Sequence, residues 1–265
     1  MYNIKTKFEN CSYDNCYTIE GCATSQLEFT LEAKDFPTMQ SKRKSQLDIQ
    51  KAIKEELEKF KWLIYNDVNF EFTWYFSGIR KKESDNIGDL DNLIKPIIDA
   101  FAGENGLYID DAQIGSLNTL WMSKNENTSS DTILRIFVKF NNDVCCMKEN
   151  MRFIQLDNSS KLDKNMYVLC HFDESNIDDL YGALVCHHLQ LRERKKGRNI
   201  LNKYPKSGLA IPFNLFHRTR LNGIPNGLIY KLNDFKKECF KAGLSYKKLL
   251  EFARTKKENR CHNLL

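Results

Sequence analysis

An apolar helix with acidic residues at both ends limits what this chain can fold into more than any other feature. The stretch from Asp89 to Ile114 reads DLDNLIKPIIDAFAGENGLYIDDAQI. Leu93, Ile94, Ile97, Ile98 and Phe101 recur at helical spacing, so Asp89 to Phe101 is predicted as a helix start followed by a helix with one buried face. Gly103 and Gly106 break it, and the chain returns through Asp110 and Asp111 to the start of a strand. A helix that runs away and a tight return can bring the two acidic ends together. Asp89 and Asp91 stand two apart just before the helix. In an extended run such side chains point the same way, so both carboxylates are expected to face one site.

Ionised carboxylates held close together repel, and a cation relieves the cost. Mg2+ takes oxygen ligands, keeps several waters and is commonly shared with phosphate oxygens. Such an ion activates water and stabilises the leaving oxygen in phosphodiester cleavage. Lys95 lies one helical turn beyond Asp91 on the same face. A lysine there neutralises charge developing on a phosphate or holds the attacking water. Each piece also has a plainer use: aspartate at a helix start is an N-cap, and Asp-Asp before a strand makes a turn. Pro96 bears on Lys95. If Asn92 caps the helix, Pro96 is its fourth residue, at the edge of what a first turn tolerates.

The flanking sequence predicts an α+β domain, a mixed β-sheet with packed helices. Gln26 to Ala33 alternates Leu27, Phe29 and Leu31 with polar neighbours, a half-buried strand. Ser41 to Lys61 reads as an amphipathic helix, and Val68 to Phe76 as an aromatic-rich strand. Ile114 to Met122 and Thr132 to Phe140 read as two strands of a long hairpin, joined by the polar loop Ser123–Asp131. Residues 1–24 are polar with weak periodicity. After Asn141 the composition shifts, so a boundary is expected there, with domains over 1–141 and 142–265.

The run DLDNLIKPIIDAF…GLYIDDAQI resembles the RusA family of Holliday-junction resolvases, whose pattern is D-x-D-N-x-x-K-x-x-x-D-A followed by a D-D-x-Q loop. The resemblance covers roughly residues 25–141, and the order of predicted elements matches as well. It implies a RusA-like fold in which Asp89, Asp91 and one aspartate of the 110–111 pair bind a divalent metal. The family pattern favours Asp111 over Asp110. It also implies Mg2+ as the cofactor, with Mn2+ as a possible substitute, and Lys95 as the catalytic lysine. Asn92, Asp99 and Gln113 match recurrent positions and are expected to support the site. In family members two subunits pair, and each cuts one strand of a four-way junction. A near-two-fold substrate suits such a homodimer.

The charge is split between the two halves. Residues 1–150 carry 18 Lys and Arg against 24 Asp and Glu, whereas residues 151–265 carry 22 against 11. A basic half can hold a polyanion such as nucleic acid, or simply keep the chain in solution. Asn176 to about Tyr204 is predicted as a long helix whose apolar stripe is Ile177, Leu180, Tyr181, Leu184, Val185, His188 and Leu191, and the C-terminal region is expected to be a mainly helical, basic extension. Residues 232–257 resemble a helix-turn-helix with Gly243 in the turn, and place Lys247 and Lys248 where they could touch DNA. Arg80, Lys81 and Lys82, just before the acidic motif, are expected to hold the phosphate backbone. Cys170-His171 and Cys186-His187-His188 raise a zinc reading, but no paired C-x-x-C accompanies them, and satisfied histidines are the simpler expectation.

No run of roughly 18 apolar residues occurs and no secretory signal is visible, so no membrane association is expected. Nine cysteines without a tight framework are expected to be thiols in a reducing compartment, which places the chain in the cytoplasm, at the nucleoid when bound to DNA. The leading expectation is a Mg2+-dependent endonuclease that resolves branched DNA in recombination and repair. The alternatives are a non-catalytic junction- or duplex-binding protein that relies on the basic tail, and a transcription regulator using the helix-turn-helix.

Overall fold

A computed structural model of the 265-residue chain describes residues 2–8, 16–18, 26–77, 89–124, 132–141, 144–159, 161–204 and 215–248. Its contacts divide the chain into two compact units, Met1–Lys148 and Glu149–Leu265. No helix among the described residues is long and apolar enough to cross a membrane.

The first unit contains β1 (Asn3–Phe8), β2 (Gln26–Ala33), α1 (Arg43–Leu57), β3 (Trp62–Ile64), β4 (Val68–Ser77), α2 (Leu90–Phe101), β5 (Ile114–Lys124), β6 (Thr132–Lys139) and β7 (Cys145–Met147). Five strands form one sheet in the order β1-β2-β6-β4-β5. One face of it is apolar at every second residue: Leu27, Phe29 and Leu31 on β2, Phe70, Phe72 and Trp74 on β4, Leu134, Ile136 and Val138 on β6. Ile49, Ile53 and Leu57 of α1 and Leu93, Ile94, Ile97 and Phe101 of α2 belong to the same buried core. α2 therefore buries the stripe that its sequence advertises, and α1 buries most of its own, with Leu47 left exposed.

The expected hairpin between the strands at 114–122 and 132–140 does not form. β5 pairs parallel with β4, from Val68↔Ile114 to Ser77↔Lys124, and β6 pairs antiparallel with the other side of β4. The reason is the connection. A helix joins β4 to β5, and such a crossover returns the next strand parallel to the first. β5 is thus an edge strand, and Leu117, Leu120 and Met122 are left about half exposed.

β1 was hidden in the weakly periodic N-terminus. It pairs antiparallel with β2, Asn3↔Glu32 to Phe8↔Leu27, as the opposite edge of the sheet. Thr6 on it is fully buried, and its hydroxyl donates to Glu56 Oε1 at 2.7 Å. The unit extends past 141 because β7 pairs with β3, Trp62↔Met147 to Ile64↔Cys145.

The second unit is built on a four-stranded sheet, in the order β10-β9-β8-β11; the sequence suggests only one of its strands, over Tyr167 to Phe172. Its elements are β8 (Met151–Gln155), α3 (Lys161–Lys164), β9 (Met166–His171), α4 (Ile177–Lys203), β10 (Leu215–His217), β11 (Ile229–Tyr230) and α5 (Leu232–Lys241). Helix remains the larger part, as expected, but it packs on this sheet. Val168, Cys170 and Phe172 meet Leu180, Ala183 and Leu184 of α4 and Phe235 and Cys239 of α5 in one core. Asn176 caps α4, its side chain accepting from the backbone N–H of Asp178 and Asp179.

The buried stripe of α4 is rotated from the predicted one. Ile177 is 52% exposed, and His187 rather than His188 is buried. His187 Nε2 lies 3.0 Å from Gln155 O, and its Nδ1 meets the Tyr246 hydroxyl. It is a core histidine with both ring nitrogens engaged. After α5 the chain turns at Gly243, whose φ of 74° suits glycine. Leu244 N–H closes the turn by donating to Cys239 O at 2.8 Å. The second helix proposed for 245–257 lies outside the described residues beyond Lys248.

Candidate active site

α2 starts three residues earlier than a cap at Asn92 would allow. Asp89 is its N-cap residue, in an extended conformation, and Asp91 already lies in the first turn. The two-apart spacing of an extended run therefore does not relate these carboxylates. Asp91 instead precedes Lys95 by one turn, and Asp99 follows Lys95 by one turn, so the three share a helical stripe.

Pro96 falls well inside the helix, as its seventh residue, and is buried. A proline there cannot donate to the carbonyl four residues back. That carbonyl is Asn92 O, and it accepts instead from Met39 N–H at 2.8 Å. The side chain of Gln50 on α1 donates to Pro96 O at 3.1 Å. The turn bearing Lys95 is thus braced from outside the helix at the point where proline weakens it. Met39 itself sits in a turn held by Gln46 Nε2, which donates to Thr38 O, Met39 O and Ser41 O.

The return from α2 is tight. Leu107 N–H donates to Phe101 O at 2.8 Å, and Gly103, at φ 100°, donates to Tyr108 O at 2.9 Å. Gly106 passes so close that a Cβ there would lie 2.2 Å from Phe101 O. The buried Tyr108 hydroxyl donates to Ile98 O at 2.9 Å, tying the loop back to the helix. Asp110 then caps a short 3-10 turn (Asp111–Gln113), accepting from Ala112 N–H at 3.0 Å. Gln113 Oε1 accepts from Ile109 N–H at 2.8 Å and Asp110 N–H at 3.0 Å, and its Nε2 donates to Ile64 O at 3.0 Å and Asn66 O at 2.8 Å. One buried amide therefore fixes the Asp-Asp turn to the β3–β4 connection.

This scaffold sets Asp111 against α2. Lys95 Nζ lies 2.7 Å from Asp99 Oδ1 and 3.0 Å from Asp111 Oδ2. The Asp99 hydrogen bond, with that to Asp111 behind it, raises the lysine pKa above its ordinary value despite partial burial. Burial pushes up the Tyr108 phenol, and the charges of Asp111, Asp99 and Asp110 push it further, which marks a negative field at this spot. The side chains of Lys95, Asp99 and Asp111 are 41–44% exposed, so the pairs add little to stability but lie open to a ligand.

These residues suit a hard divalent cation in donor type, being carboxylate oxygens at a wet surface with a negative field. Among the described residues, no group of three or more His, Cys, Asp or Glu side chains is gathered in readiness for a metal. Lys95 supplies the positive charge between two of the carboxylates instead.

Of the residues predicted from sequence, Lys95, Asp99 and Asp111 come together, with Asp91 one turn away on the same helix. Asp110 and Gln113 shape the turn, and Asn92 contributes its backbone carbonyl. Arg80, Lys81 and Lys82 lie outside the described residues. Lys247 and Lys248 belong to the second unit, where both are exposed. Gln50 and the Met39 N–H were not foreseen. A backbone donor leaves no trace in a sequence, and Gln50 looks like any polar residue on an amphipathic helix.

Residues 22–139 match the family model described as Endodeoxyribonuclease RusA. No curated protein matches the chain.

Proposed function

From the premise that residues 22–139 belong to the endodeoxyribonuclease RusA family, whose members are hydrolases that resolve Holliday junctions, we propose that this chain cuts four-way DNA junctions with a divalent cation held by Asp89, Asp91 and Asp111. Mg2+ is the expected ion, Mn2+ a working substitute, and recombination and repair the setting. The observation that supports this reading best is the meeting of Lys95 with Asp111 at 3.0 Å, which joins the helix of the acidic motif to its return turn.

When bound, the cation supplies an activated water and a counter-charge for the leaving oxygen. The protein's own residues do the positioning. Asp91 is held one turn from Lys95 by the helix, and Asp111 is held by the turn that Gln113 fixes. Lys95, like any ordinary lysine, is charged at neutral pH, and the carboxylates of Asp99 and Asp111 beside it favour that form further. It is therefore a permanent cation for a phosphate oxygen, exchanging a carboxylate partner for the substrate. Asp99 stays behind to orient its ammonium group. Arg80, Lys81 and Lys82, just before the acidic motif in the sequence, are assigned to the phosphate backbone. The chain acts as a two-fold dimer on a near-two-fold substrate, and the half-exposed Leu120 and Met122 on one face of edge strand β5 offer a surface that a second copy would cover.

Asp91→Asn tests the assignment. It keeps size and removes one charge, so binding to a labelled four-way junction should stay within roughly twofold while cleavage falls by roughly 100-fold or more. Cleavage at the wild-type rate would overturn it.

A further inference from the structure

The second unit carries an aromatic residue where folding gives it no work. α5 buries Leu232, Phe235 and Cys239 in the core of that unit, yet the neighbouring Phe240 is 79% exposed. Phe240 lines a shallow, open depression together with Asn233, Lys236, Lys237 and Lys241. Helical spacing explains the grouping, since Lys236 and Lys237 stand four and three residues before Phe240.

The charge around this ring is positive, with three lysines lining the depression. Between residues 231 and 248 the chain carries six lysines against Asp234 and Glu238. The two acids steady the lysines along the helix: Lys237 Nζ is 3.2 Å from Asp234 and Lys241 Nζ is 2.8 Å from Glu238. Lys236 Nζ sits 5.6 Å over the Tyr246 ring. The whole half of the chain from 151 on carries 22 Lys and Arg against 11 Asp and Glu.

We propose that this face of α5 binds unpaired DNA, with Phe240 stacking on a base and Lys236, Lys237 and Lys241 taking the adjoining phosphates. An exposed aromatic ring among lysines is the combination that single strands need: a platform for a base and charge for the backbone beside it. A duplex offers the charge but keeps its bases stacked, so the ring gains a partner only where pairing is broken, as at a branch point. Asn233 at the rim can hydrogen-bond a base edge. The choice of DNA over RNA follows from the family of the first unit, but the platform does not depend on the metal site proposed there.

Binding of the full chain to a labelled oligo-dT strand and to a blunt duplex of the same length, in EDTA so that no cleavage intrudes, separates the possibilities. Phe240→Ala should weaken strand binding roughly tenfold and duplex binding less than about twofold, and Phe240→Trp should restore it. Replacing Lys236, Lys237 and Lys241 together by glutamine should lower the salt dependence of strand binding by about two units of log–log slope. An unchanged strand affinity in Phe240→Ala overturns the proposal, as does an equal loss on strand and duplex. A changed sedimentation coefficient with DNA affinity intact also overturns it and makes Phe240 a protein contact. Circular dichroism controls for folding, which an exposed side chain should not disturb.

Discussion

Gln113→Met tests how the site is held. Gln113 is 7% exposed and makes four hydrogen bonds, two accepted and two donated, all to backbone groups. Methionine fills a similar volume but donates nothing and accepts only weakly. The Ile109 N–H and the Ile64 carbonyl are in the buried bonds and lose their partners outright, whereas Asp110 N–H and Asn66 O can turn to water. An unmet buried group costs about 1–3 kcal/mol, so the expected loss is about 3 kcal/mol. Trp62, Trp74 and Trp121 are the chain's three tryptophans, and all lie in the first unit, so their fluorescence reports on that unit alone. With a urea dependence of about 2 kcal/mol per molar, the unfolding midpoint should fall by about 1.5 M. Gln113→Glu keeps the acceptors and sets a charge against two carbonyls, so it should lose at least as much at neutral pH. A Gln113→Met protein within about 0.5 kcal/mol of wild type would refute the claim that this amide fixes the Asp-Asp turn.

Two other perturbations probe the same domain. Gly106→Ala should destabilise it by about 3 kcal/mol in the same urea assay, because the new Cβ meets a backbone oxygen that cannot step aside. Glu56 is buried, which alone would raise its pKa, but hydrogen bonds from Lys59, Tyr17 and Thr6 more than offset this and hold it below the ordinary 4.5. Its stabilising effect is therefore full above the unfolded value and fades as pH falls through the folded one. Glu56→Gln should cost about 1–2 kcal/mol at pH 7 and progressively less below about pH 4, read from urea midpoints across pH.

Much of this was legible from the chain, for identifiable reasons. β2, β4, α1 and α2 bury one face each, so their period shows in the sequence. β1 is six residues long and alternates exposed Asn3 and Lys5 with inward Ile4 and Thr6, but Thr6 is polar, so its buried face does not stand out as apolar in the sequence. Strand periodicity says which residues face the core but not which strand is the neighbour, and that is why β5 and β6 looked like a hairpin. The strands of the second unit run from two to six residues, too short for alternation to stand out. At the site, the acidic motif named Asp89, Asp91, Asp111 and Lys95 as one group with Asp99 in support, and the contacts of Lys95 run to Asp99 and Asp111. What it could not show is how a helix survives Pro96, because the answer lies in a backbone N–H and a glutamine on other elements.

The account turns on carboxylates from both ends of the motif sharing a single ion. Calorimetric titration of Mn2+ into the full chain, beside Asp91→Asn and Asp111→Asn proteins of matched stability, addresses that directly. One binding site in the wild type that is lost in both variants is the predicted result. Undiminished Mn2+ binding in both would contradict it.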